Sequence, residues 1–178
     1  MSFIAPKEGT VPMSTFAYVF SELVQYSQSQ VNNTGDLERR LEEVGRCMGG
    51  MLIELLNSHG SSAVGGSLGF VPVTLTRHTR LLDILRYIYT TVWKYLFGKQ
   101  AQDLQQSNDN KDEYMISDDE AHLWMGKFVS VPKDMGSFNC HAFLAGIVRG
   151  VLDNAGFTTI RYVFLLNVFI HLHVFLYG

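Results

Sequence analysis

Two neighbouring residues, Cys140 and His141, form the pairing most suited to chemistry in this 178-residue chain. They stand at the start of an expected helix, where the positive end of the helix dipole favours a thiolate. A cysteine nucleophile also needs a base within hydrogen-bond reach. Adjacent helical residues project about 100° apart, so His141 cannot be that base. His59, His78, His122, His171 and His173 fall into no triad-like pattern. Cys140 therefore reads as a small residue packing a helix start, with a thiol enzyme as the minor alternative.

His171 and His173 are two apart, so on a strand they would share a face and could supply two metal ligands. No cysteine or carboxylate lies near them in sequence, and a catalytic zinc usually takes three protein ligands. Gly65-Gly66-Ser67-Leu68-Gly69 lacks the Gly-Lys-Ser/Thr ending of a phosphate loop and follows no expected strand. Trp93 and Trp124 suit core or interface anchoring. The expectation is no catalytic residue, no cofactor and no metal.

Composition narrows the class. Fourteen basic against 17 acidic residues give a net charge of −3, which argues against an electrostatic nucleic-acid binder. Hydrophobic residues make up 47% and charged residues 17%, so a disordered chain is excluded. Two cysteines are too few for a disulfide scaffold. Met1–Pro12 shows no apolar stretch behind basic residues, hence no secretory signal. Together these point to a reducing, cytoplasmic setting.

The elements that would position these residues follow from periodicity. Residues 1–13 read as a flexible arm punctuated by Pro6, Gly9 and Pro12. Ser14 is the expected N-cap of a helix reaching about Gln30, with Phe16, Val19, Phe20, Leu23 and Val24 as its apolar stripe. Asn32-Asn33-Thr34-Gly35 is a turn cluster, after which Asp36 caps a second helix. Leu37, Leu41, Val44, Met48, Met51 and Leu55 follow at spacings of 4, 3, 4, 3 and 4, a heptad-like seam suited to lengthwise helix pairing. Gly45 and Gly49 share a face of that helix. Their bare backbone could admit a partner helix, or they could simply be tolerated inside the domain. Residues 57–76 are Gly- and Ser-rich and read as a surface loop. A third helix is expected from about Arg77 to Phe97, stopped by Gly98, with a short polar helix from Lys99 to about Ser107.

Residues 103–120 hold seven acids and one base, Lys111, and read as a solvated loop. Glu113–Ser117 and Lys127–Val131 read as strands. Asn139 or Ser137 caps a helix to about Asn154 that is apolar on most sides and therefore buried, with Gly156 beyond its end. The expected fold is α+β, with helices packed on a small antiparallel sheet, in a single domain over residues 14–157.

The central motifs carry more. Arg80-Leu81-Leu82-Asp83-Ile84-Leu85 leads to Thr91-Val92-Trp93-Lys94 and Leu96-Phe97-Gly98-Lys99. Then come Asp112-Glu113-Tyr114-Met115-Ile116, Phe128-Val129-Ser130-Val131-Pro132-Lys133, and Phe138-Asn139-Cys140 with Ala145-Gly146-Ile147-Val148. With Phe20-Ser21-Glu22-Leu23-Val24-Gln25, this series resembles the small-subunit family of the trafficking protein particle (TRAPP) tethering complex, over about residues 13–57 and 77–157. The resemblance implies a TRAPP small-subunit-like fold and a structural scaffold, not an enzyme. It implies partners: a paralogous TRAPP small subunit through the helical faces, a longin-like TRAPP subunit, and a Rab-family GTPase only through the assembled complex, which catalyses its nucleotide exchange. Transport between endoplasmic reticulum and Golgi, with peripheral attachment to those membranes through the complex, is implied too. A related subunit carries an acylated cysteine, but Cys47 stands in no matching motif. The expected pairing or core positions are Phe16, Phe20, Leu23, Leu37, Leu41, Val44, Gly45, Met48, Gly49 and Met51.

Two segments depart from the family. The loop over 58–76 is longer and richer in glycine. Residues 158–178 form a divergent apolar tail, which suggests an alternative transcript end. Tyr162–Tyr177 holds 13 apolar residues of 16. As a helix it would span about 24 Å, against about 30 Å of hydrocarbon in a bilayer, so a membrane tail anchor is marginal. Its Val, Phe and Ile content favours a strand completing the sheet.

Overall fold

Pro12 decides where the first helix begins. The computed structural model describes residues 12–61, 80–108, 113–118, 129, 138–157, 165–166 and 169–173. Helix α1 spans Met13–Gln28. The extended Pro12 offers its carbonyl to the N–H groups of Thr15 (3.0 Å) and Phe16 (3.3 Å). Ser14 therefore lies inside the first turn and is not the expected N-cap, and no side chain caps this end.

Helix α2 spans Thr34–Ser61, three residues ahead of the start expected after an Asp36 cap. Asn33 supplies the cap: its Oδ1 accepts the Asp36 N–H at 2.7 Å, and its Nδ2 donates to Asp36 Oδ2 at 2.7 Å. Asp36 is thus a first-turn residue, where its charge suits the dipole. The expected turn cluster is correspondingly shorter, since Thr34 and Gly35 are already helical.

Helix α3 (Leu81–Tyr87), a π-helical turn (Ile88–Val92) and α4 (Trp93–Phe97) run on from one another. The wide turn falls on the β-branched run Thr90-Thr91-Val92. Tyr89 O accepts from the Ala101 N–H at 3.1 Å, which joins the helix to the sheet. Gly98 ends α4 as expected, in the left-handed region at φ 78°. Residues 77–79 of the expected helix lie outside the described residues.

The stretch expected as a polar helix contains strand β1, Asp103–Gln106. Local helix propensity is overridden by the ladder with β2, Glu113–Ser117. The acidic stretch is accordingly not a solvated loop. It holds both strands and the buried Asp118, whose carboxylate accepts Trp93 Nε1–H at 2.7 Å and lies 3.3 Å from Lys99 Nζ. The expected strand Lys127–Val131 falls outside the described residues apart from Val129. Helix α5 spans Ala142–Asn154. Asn139 holds the turn before it, its Oδ1 accepting the His141 N–H at 3.1 Å. Gly156 follows at φ 87°.

The apolar tail supplies β3 (Leu165–Leu166) and β4 (Phe169–His173). The sheet is antiparallel in the order β1-β2-β4-β3. Where the tail is described it is strand, not the helix that a tail anchor requires. No described helix is long and apolar enough to cross a membrane.

The core lies where α2 and α5 cross, running parallel. Gly45 and Gly49 of α2 meet Gly146 and Gly150 of α5. A Cβ on Gly45 would collide with the Phe143 carbonyl, and one on Gly146 with the Glu42 carbonyl. The close approach open to Gly45 and Gly49 is thus taken by the chain's own helix. Arg149 Nη1 to Glu42 Oε1 and Arg46 Nε to Asp153 Oδ2, each 2.6 Å, flank the crossing. Around it pack Phe20 and Val24 of α1, Leu41 and Ile53 of α2, Leu85 and Trp93 of the central helix, and Ile116 of β2.

Candidate functional site

Cys140 and His141 are both buried at the start of α5. Cys140 is 5% exposed. Burial pushes its thiol up to about 11, outweighing a backbone hydrogen bond that lowers it. A buried thiol held that high stays protonated at neutral pH and is a poor nucleophile. His141 Nδ1 lies 3.9 Å from Sγ and 2.7 Å from Asn139 Oδ1. The Asn139 N–H donates to Glu38 Oε1 of α2 at 2.8 Å. These groups tie the start of α5 to α2. The helix dipole, which suggested a thiolate, is overruled by desolvation.

The seam on α2 divides. Leu37 and Leu41 are fully buried, and Val44 is half-buried against the core. Met48 and Met51 are exposed, at 42% and 61%, and Leu55 is exposed beside them. The row facing inward is Leu37, Leu41, Gly45, Gly49 and Ile53, a four-residue spacing that meets α5. On a straight helix a four-residue row advances about 40° per step while a heptad row falls back about 20° per repeat, so the two rows diverge along α2. The later members of the heptad row therefore leave the contact with α5 and face solvent.

Helix α1 divides in the same way. Phe20 is buried, with its ring 5.3 Å from Phe143 and 5.7 Å from Phe16. Phe16 and Leu23 are half-buried against the core. Tyr18, Val19 and Tyr26 are exposed, although Val19 belonged to the expected inward stripe. The guanidinium of Arg40 lies 5.8 Å over the Tyr26 ring, linking α1 to α2. Six of the eight large exposed apolar side chains among the described residues therefore lie on α1 and α2. Contiguous apolar patches mark interaction sites, and α1 and α2 are the elements among the described residues that could supply one. Sequence reasoning missed Tyr18 and Tyr26, although with Glu22 they recur every four residues on one outer face.

A recess of about 400 Å³ is lined by Asn33, Gly35, Asp36, Glu38, Arg39, Glu42, Ala142 and Ala145. Half of its lining residues are charged, unlike the predominantly apolar lining of small-molecule pockets. Arg39 pairs with Asp36 at 2.6 Å, and Glu42 is the partner of Arg149. Among the described side chains no three His, Cys, Asp or Glu gather closely enough to hold a metal; the side chains of β4 lie outside that set.

The model of the transport protein particle (TRAPP) component family matches residues 16–165, eight residues further than the motifs read from sequence. A Dictyostelium discoideum protein named trafficking protein particle complex subunit 5 is 41% identical over 150 residues, covering 84% of this chain and 73% of that protein. The Homo sapiens protein of that name is 37% identical over 147 residues, covering 83% and 71%. A crystal structure of a trafficking protein particle complex subunit 3 from Naegleria fowleri, covalently bound to palmitic acid, is similar at a TM-score of 0.70 and 19% identity. It covers 93% of this chain and 96% of that one, and speaks for the fold alone. With the family model matched over most of its length and relatives above one third identity, this chain belongs to the TRAPP component family.

Proposed function

We propose that this chain is a scaffold subunit of a TRAPP-type tethering complex, and that it docks a related TRAPP small subunit through the outer face of α1 and α2. The observation that carries this is the gathering of Tyr18, Val19, Met48 and Met51 on those two helices, exposed in a family that assembles into complexes. Burying apolar surface contributes about 25 cal/mol per Å², so these side chains would favour association. Phe16, Phe20, Leu23, Leu37, Leu41, Gly45 and Gly49 support the face from beneath, and half-buried Val44 borders it. A longin-like subunit is the further partner of this reading. The assembled complex would act between endoplasmic reticulum and Golgi, support nucleotide exchange on a Rab-family GTPase, and hold this chain at those membranes peripherally. The role is structural and non-catalytic.

Co-expression with a related TRAPP small subunit, followed by pull-down, tests it. Met48→Asp/Met51→Asp changes two exposed side chains and should abolish co-purification while the chain keeps its thermal midpoint. Leu82→Asp, an exposed apolar position on α3, should leave it intact. Undiminished capture by the folded double variant would refute the assignment.

A further inference from the structure

The described cations divide into two groups. Arg39, Arg46, Lys99 and Arg149 each pair with a carboxylate, and Arg40 lies over the Tyr26 ring. Arg80, Arg86 and Lys94 are exposed and pair with no acid among the described residues. All three belong to α3, α4 or the residue that opens α3. Asp83 is the one acid between Arg80 and Phe97. Three cations against one acid leave this segment a local charge of +2, in a chain whose net charge is −3.

Leu82, Arg86, Thr90 and Lys94 recur every four residues and all are exposed. On an α-helix such a row drifts about 40° per step. The π-helical turn Ile88–Val92 lies between Arg86 and Lys94 and takes more residues per revolution. It turns the row back and keeps both cations on one side, about 12 Å apart along the axis. Leu82 and Tyr95, 47% and 44% exposed, stand near the two ends. They are the two large exposed apolar side chains that do not lie on α1 or α2.

We propose that this face of the central helix rests on an anionic bilayer surface. Unpaired guanidinium and ammonium groups are free to meet lipid phosphates and carboxylates, and a laterally uniform layer of anions demands no register between the two surfaces. Long Arg and Lys stems let the charged heads reach the headgroups while Leu82 enters the boundary with the acyl chains. Tyr95 suits the same depth, with an apolar ring and a polar tip. The contact is peripheral, since no described helix is long and apolar enough to cross a membrane. It lies apart from the docking face on α1 and α2, so the chain alone should show it.

Flotation of the purified full-length chain with vesicles tests the proposal. Vesicles of phosphatidylcholine mixed with phosphatidylserine should carry the chain upward at low salt, and vesicles of phosphatidylcholine alone should not. Raised salt should release it, because exposed charges are screened. Each basic residue near an anionic surface strengthens binding about fivefold, so Arg86→Gln/Lys94→Gln should lower the partition coefficient about thirtyfold. Arg39→Gln, at a paired cation on α2, should leave it unchanged. No binding to the mixed vesicles, equal binding to both kinds, or undiminished binding by the folded double variant overturns the proposal. Should that variant fail to fold, amine labelling of the unaltered chain decides: shielding of Lys94 by the mixed vesicles supports the contact, and full labelling at saturating lipid overturns it. A saturable complex with polyglutamate that the mixed vesicles fail to displace would assign the face to an acidic protein segment and overturn the lipid contact.

Discussion

Gly146→Ala sets two physical effects against each other. Replacing glycine with alanine inside a helix favours the helix by about 1 kcal/mol. At the α2–α5 crossing the new methyl group would collide with the Glu42 carbonyl oxygen, and would lie 2.8 Å from the Glu42 carbonyl carbon and 2.9 Å from the Arg46 nitrogen. These are backbone atoms of α2, so no rotamer change relieves the overlap. The helices must separate, and the ion pairs Arg46–Asp153 and Arg149–Glu42 must stretch with them. Overpacking of this kind costs about 1–3 kcal/mol, occasionally more, and an obstacle made of backbone belongs at the upper end. The net expectation is a loss of about 2 kcal/mol, or roughly 4–8 °C in thermal midpoint for a chain of this size. Urea unfolding of the full-length chain measures it. Gly35→Ala is the counterpart: its Cβ would meet nothing closer than Asn33 Oδ1 at 3.6 Å, so stability should hold or rise. A Gly146→Ala chain more stable than the original would show that propensity prevails and that the helices are not in backbone contact.

Other perturbations report on other parts of the fold. Asn33→Ala removes the α2 cap and should cost about 1 kcal/mol, read as a lower urea midpoint at unchanged slope. Trp93→Phe removes the Nε1–H donated to buried Asp118 and should cost about 1–3 kcal/mol, with Trp93→Tyr no better unless its hydroxyl reaches the carboxylate; a thermal melt decides. Cys140, raised to about 11 from 9.0 by burial, binds its proton more tightly folded than unfolded. Its stabilising contribution is full below about pH 9 and should be lost as pH rises through about 11, and Cys140→Ala should flatten that part of the stability curve. In thiol labelling at neutral pH, exposed Cys47 should react at once and Cys140 only on unfolding.

The main helices were legible because their apolar residues recur at helical spacing and because Gly98 punctuates its helix directly. Strand Glu113–Ser117 was legible from its alternation. Strand Asp103–Gln106 was not, since Asp-Leu-Gln-Gln carries no strand signal and is held by its partner. The exact cap of α2 was missed by three residues because Asn33 and Asp36 are both good cap residues, and only the hydrogen bonds rank them. Cys140 and Gly45 were seen as notable, but their surroundings come from elements distant in sequence.

Sequence by itself determined the family, the α+β class, the burial of α5 and the presence of a heptad-like row on α2. Those properties follow from local periodicity and from ordered motifs. Only the tertiary structure decided which members of that row face inward, because the inward direction of α2 is set by where α5 crosses it. Leu37 and Leu41 fall under that crossing, whereas Met48 and Met51 turn away from it. The same holds for the backbones of β2 and β4, where Tyr114 comes opposite Leu172 through a strand register that no spacing along the chain encodes.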